Sequence, residues 1–166
     1  MKALEGGLGD HEIVQIAAIV AIQSYVKTLL KPALLASGQI TRIISAINDF
    51  VAAQDPEDLA DSEDLLMAVV ETIRCVVMLD PAIVLTPDVP ALDILFTLIS
   101  RAASSLQLTS LVNETFNDIA VQIALNVQQY VKLCERVLPS LTSALWFADD
   151  SQINHLAIVS SFASEV

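Results

Sequence analysis

The stretch ITRIISAINDFVAAQ, residues 40–54, decides the fold. Ile40, Ile43, Ile44, Ile47, Phe50 and Val51 recur at steps of three and four, so a helix gathers them into one apolar stripe. Arg42, Asn48 and Asp49 fall off that stripe, which leaves a polar back for solvent. The segment is an amphipathic helix that needs a neighbour to cover it.

Toward the amino terminus, the chain before it reads as the turn Ser37-Gly38, a break at Lys31-Pro32, and a helix from about His11 or Glu12 to Leu30 that Asp10 can cap. The apolar positions of that helix are dense, which suits cover on more than one side. Residues 1–10 read as a flexible lead. Toward the carboxyl terminus comes a charge run, then a third helix capped by Asp61 or Ser62, with Leu65, Leu66, Val69, Val70, Ile73 and Val77 as its core stripe. Asp80-Pro81 ends it. Pro90 belongs in the first turn of a fourth helix, where Leu92, Leu95, Phe96 and Ile99 point inward. A fifth helix carries Leu108, Leu111, Val112, Phe116, Ile119 and Ile123, and Asn126 marks a joint. The sixth is read with Val131, Cys134, Leu138, Leu141 and Leu145 inward, and Pro139 within this pattern predicts a kink or a restart. One more helical beginning, from Gln152 to Val166, ends with the chain.

Apolar–polar alternation with β-branched and aromatic enrichment persists nowhere, so no strands are expected. First helices begin near residues 12, 62, 108 and 151, a period of roughly 43–50, close to the ~40–47 of armadillo and HEAT repeats. The expected fold is all-α: a HEAT/armadillo-like, right-handed α-solenoid segment of antiparallel helix pairs. Its pairs are 11–54, 62–105 and 106–148, with an acidic linker at 55–61 and the first helix of a further repeat at 149–166. Such hairpins cannot each bury an apolar face alone and must stack. A closed bundle is the structural alternative.

Composition agrees with helices and short joints: 54% of residues are hydrophobic, with only 4 Gly and 6 Pro. The longest uncharged run of the first helix, Ile13 to Val26, falls short of the ~20 apolar residues that cross a bilayer. Met1 to Asp10 lacks the pattern of a secretory signal. The net charge of -12, from 8 Lys plus Arg against 20 Asp plus Glu, disfavours nucleic acid and anionic membrane and favours a basic protein partner. Cys75 and Cys134 read as small core residues with no metal-ligand spacing.

Catalytic patterns are absent, and no cofactor or enzymatic activity is expected. His11 and His155 are far apart, and neither has a ligand partner at a recognised spacing. Gly6-Gly7-Leu8-Gly9 lacks the strand that a phosphate-binding loop requires. Asn113-Glu114-Thr115 matches the glycosylation triplet but lies within a helix. Trp146 and Phe147 serve either as core or as a groove-facing anchor. The sharpest local feature is the acidic cluster Asp55, Glu57, Asp58, Asp61, Glu63 and Asp64. It reads either as a solvated loop whose last members cap the third helix or as a docking strip for a basic protein. A divalent-ion loop is the weaker third reading, since the twelve-residue calcium spacing and its central Gly are missing.

From Ile40 to Ala148 the chain also resembles a known family. ITRIISAINDFVAAQ, DLLMAVVETIRCVVMLDPAIV (64–84), LVNETFNDIAVQIALNV (111–127) and CERVLPSLTSALW (134–146) are similar to middle repeats of nuclear transport receptors of the importin-beta superfamily, nearest the importin 9 branch. Glu71-Thr72 and Asp80-Pro81 are the most specific matches. RVLPSLTSAL (136–145) resembles a second-helix opening, which would start that helix near Pro139 and make Tyr130 to Val137 a preceding turn. The chain departs from the general HEAT pattern in lacking the Asp followed by Val-Arg of an inter-repeat ladder. The resemblance implies a shuttling import receptor, cytoplasmic and nuclear, that carries basic cargo such as histones. Through the parent protein it would respond to Ran-GTP and contact Phe-Gly nucleoporins, this segment acting mainly as curved scaffold. The competing readings are a HEAT scaffold or adaptor subunit of a cytosolic complex unrelated to nuclear transport, and an all-helical enzyme or small-ligand protein.

Overall fold

The computed structural model describes residues 6–8, 11–28, 33, 38–55, 62–101 and 105–146, the side chains of 99–101 and 140–146 excepted. Among the described residues six α-helices follow one another: α1 Glu12–Thr28, α2 Gln39–Ala53, α3 Glu63–Leu79, α4 Ala91–Arg101, α5 Leu106–Ala124 and α6 Val127–Trp146. A 3-10 helix, Pro81–Leu85, lies between α3 and α4, and no strand occurs among the described residues. The protein is an all-α solenoid of stacked helix pairs.

Local chemistry sets several ends. Gly38 holds φ +64° just before α2, a left-handed conformation that favours glycine. The Ser105 hydroxyl accepts from the Leu108 N–H at 3.1 Å and caps α5, and Asn126 Oδ1 accepts from the N–H groups of Gln128 and Gln129 to start α6. Ser62 occupies the cap position of α3 but makes no side-chain cap bond. The Pro90 carbonyl accepts from Ile94, so Pro90 stands one residue before α4. Tyr25 donates to Gln39 Oε1, tying the end of α1 to the start of α2.

Packing runs along the stack. α3 lies between α1 and α5, α2 packs on α4, and the 3-10 helix is held among α3, α5 and α6. The buried sets of the first helices superpose by register. Ala18, Ile19, Ile22 and Val26 of α1 correspond to Leu65, Leu66, Val69 and Ile73 of α3 at a shift of 47 residues. Leu65, Val69, Thr72, Ile73, Val76 and Val77 correspond to Leu108, Val112, Thr115, Phe116, Ile119 and Ala120 of α5 at a shift of 43. A shift of 51 carries Ile40, Ile43, Ile44 and Ile47 of α2 onto Ala91, Ile94, Leu95 and Leu98 of α4, all buried. Phe96 meets Phe116 with ring centroids 5.1 Å apart, a tilted aromatic pair that joins α4 to α5.

Three expectations are corrected. The inward face of α6 is Leu133 and Val137, whereas Val131 and Leu138 are 49% and 58% exposed and Cys134 is intermediate. The reason is Arg136, whose Nη1 donates to the carbonyls of Val84 (2.6 Å) and Thr86 (2.8 Å) and so fixes the rotation of α6 against the 3-10 helix. Tyr130 to Val137 is helix, and α6 continues through Pro139. Glu135 and Pro139 are both exposed, so the one carbonyl that Pro139 cannot satisfy has water within reach. Third, α1 is covered on one side only: Ile13, Val14 and Val20 are exposed. Cys75 and Cys134 are free and half-buried. The expected helix at 149–166, the cap Asp10, the break at Lys31-Pro32, and His155 lie outside the described residues.

Candidate protein-binding surface

The acidic cluster is only partly described. Asp55 is exposed one residue past the C-cap of α2, and Glu63 and Asp64 are exposed in the first turn of α3; Glu57, Asp58 and Asp61 lie outside the described residues. Acidic side chains in a first turn complement the unpaired N–H groups there. Glu63 also has a tertiary task, because its Oε1 accepts from the Ser105 hydroxyl, which itself caps α5. One carboxylate thus links the starts of two successive first helices, 42 residues apart.

Two further junctions continue this line along the helices. Gln23 Nε2 donates to Glu71 Oε2 at 3.3 Å and to Cys75 Sγ at 3.7 Å. Arg74 donates to Glu114 at 3.3 Å and to Asp118 at 2.5 Å. In both, a donor on one first helix meets an i, i+4 pair on the next. Since Glu63 meets Ser105 while Arg74 meets Glu114 and Asp118, α3 and α5 run in the same direction, as a solenoid requires. Burial works to lower the Arg74 pKa, but the hydrogen bonds and charges of Asp118 and then Glu114 outweigh it and hold it above the ordinary arginine value.

The result is an acidic helical layer that the linker alone did not reveal. α3 and α5 carry Glu63, Asp64, Glu71, Glu114 and Asp118 against Arg74 as their one basic residue, and all but Asp118 of these carboxylates are exposed. The signal was present as Glu-Thr at 71–72 and again at 114–115. An open groove of about 590 Å³ lies elsewhere, lined by Leu8, Gln15, Arg42, Ser45, Asp49 and Phe50 among others. Its mixed charges do not concentrate one sign. Among the described residues no group of His, Cys, Asp and Glu could hold a metal ion, and no helix is long and apolar enough to cross a membrane.

A family model described as Importin-9 central HEAT repeats matches residues 6–103, more than half of the chain. No curated protein matches, and no solved structure matches.

Proposed function

Because the chain belongs to the family of importin-9 central HEAT repeats, we propose that it is a middle segment of a nuclear import receptor, serving mainly as the curved spacer between regions that grip a basic protein cargo. The match over residues 6–103 carries this reading. Histones are the cargo class proposed, with release by Ran-GTP, contact with Phe-Gly nucleoporins and shuttling between cytoplasm and nucleus belonging to the parent receptor. The net charge of -12 and the exposed carboxylates of α3 and α5 support a basic partner, because a field of that sign steers cationic proteins toward the layer.

The test is stopped-flow association of the chain with core histone dimer at two salt concentrations. Changing Asp55, Glu57 and Asp58 together to Asn and Gln should slow association at low salt and leave helix content intact. The difference should fade as screening shortens to ~8 Å at physiological ionic strength. An unchanged rate at the lower salt would remove the linker from the cargo surface.

A further inference from the structure

We infer that copies of this chain stack head to tail, α1 of one copy taking the place of a further first helix against α5 of the next. The shifts of 47 and 43 residues that align the buried sets of the first helices also align their flanks. Glu71 and Cys75 on α3 receive Gln23 of α1, and Glu114 and Asp118 on α5 receive Arg74 of α3. The same two positions on α1 are Ser24 and Thr28, both exposed, and earlier turns of that flank hold Ala17 and Ala21. On the opposite flank, Glu63, Leu66, Val70 and Arg74 of α3 become Leu106, Thr109, Asn113 and Asn117 of α5.

Charge sets these two end flanks apart. Inside the stack the flanks carry Arg74, Glu114 and Asp118, which pair across the junction of α3 with α5. At the ends, the eight equivalent positions on α1 and α5 hold no charged residue. Copies at -12 repel one another, so contact is least opposed where carboxylates are missing from both sides. Apolar surface then supplies the attraction. Glu63 reaches the start of α5, so Leu106, its equivalent, reaches the first turns of the second copy's α1. Leu106 is 87% exposed, and Ile13 and Val14 in those turns are 82% and 40% exposed. Stacking removes these side chains from water together.

The polar side chains complete the fit. Asn117 stands where Arg74 stands, so its amide N–H groups meet the hydroxyls of Ser24 and Thr28 as the guanidinium meets Glu114 and Asp118. The Thr28 hydroxyl already donates to the Tyr25 carbonyl at 3.1 Å, which leaves its oxygen to accept. Asn113 is the equivalent of Gln23, which bonds to Glu71 and Cys75, and it therefore also faces Ser24 of the second copy. Its Oδ1 is shut off from solvent and has no hydrogen-bond partner among the described residues. The Ser24 hydroxyl can donate to it, whereas a carboxylate at that position would set acceptor against acceptor.

This inference does not rest on the transport reading, and salt separates the two. Screening should strengthen contact between acidic copies and weaken the steering of a basic partner. In sedimentation of the full chain, the mass should therefore rise with concentration and with salt, without stopping at a dimer, because a head-to-tail contact does not close on itself. Monomer mass at every concentration and salt would overturn the inference. Ala17→Glu and Leu106→Glu, each exposed in the single copy, should leave helix content intact and make each variant monomeric. Their mixture should form a dimer, since one variant keeps its α5 flank and the other its α1 flank. A mixture that stays monomeric would sink the idea. In a Cys75→Ser, Cys134→Ser background, Asn117→Cys should cross-link to Ser24→Cys on the order of tenfold faster than either does to itself, because only unlike flanks bring the two Cβ atoms into range. Equally fast self-linking of Asn117→Cys would replace the head-to-tail stack with a two-fold contact.

Discussion

Thr72 and Thr115 are the buried polar side chains among the described residues, and each turns its hydroxyl onto the carbonyl four residues back, Ala68 or Leu111, at 2.8 Å. That return bond lets a hydroxyl occupy a core position in two consecutive repeats without an unsatisfied group. Phe116, beside Thr115, is fully buried against Phe96. Replacing Phe116 with Ala should cost about 3–5 kcal/mol through cavity formation, and Ile44 with Ala about 2–5 kcal/mol, both read from the denaturant midpoint. Gly38 has open space where a Cβ would stand, so Gly38→Ala isolates the backbone term: about 1–2 kcal/mol for forcing an L residue to positive φ. Arg136 is a different case, since its guanidinium satisfies two carbonyls of the segment after α3. Arg136→Met should lower stability by about 1–3 kcal/mol and speed amide exchange in residues 83–89 before the rest of the chain opens.

At the scale of the helix, α6 decides between two apolar faces. Val127, Val131, Cys134 and Leu138 form one, and Leu133 and Val137 the other, and helical spacing alone favours the longer series. The structure buries the shorter one. Leu133→Ala and Leu138→Ala remove the same atoms, so their difference measures burial directly: about 2–5 kcal/mol for the first and within about 0.5 kcal/mol for the second, by thermal or chemical unfolding. Between helices, Arg74 and Asp118 tie α3 to α5 with both side chains a third exposed. A double-mutant cycle with Arg74→Met and Asp118→Asn should give a coupling of about 0.5–1 kcal/mol that shrinks with salt. Because the folded pKa of Arg74 is raised, its contribution is fully present below the ordinary arginine value and is lost only as pH rises through the raised one. The arginine therefore introduces no pH dependence near neutrality.

Over the whole molecule, charge acts in two ways that salt can separate. The field of a chain at -12 reaches any cationic partner, whereas the linker and the α3–α5 layer present carboxylates at defined places. Neutralising Asp64, Glu71 and Glu114 removes as much charge as neutralising Asp55, Glu57 and Asp58. If only the long-range field steers a basic protein, the two triple variants should slow low-salt association equally in stopped-flow measurements. A larger loss from one of them would locate the face that the partner meets.

The sequence by itself determined the all-α solenoid class and the apolar stripes of most of the described helices. The stripe from Ile40 to Val51 and the one from Leu65 to Val77 are buried residue for residue as their spacing predicts, and the similarity to middle importin repeats led to the family that the match over 6–103 establishes. These features are legible because each rests on residues within a few turns of one another, or on a whole pattern shared with relatives. The tertiary structure alone decided the rotation of α6, the partner of Glu63, and the ladder from Gln23 through Glu71 and Arg74 to Asp118. Each depends on the register between helices whose contacting residues are 40 or more positions apart. Helical periodicity says which side chains share a face. It carries no information on which distant helix slides against that face, or at what offset, until the cores have packed.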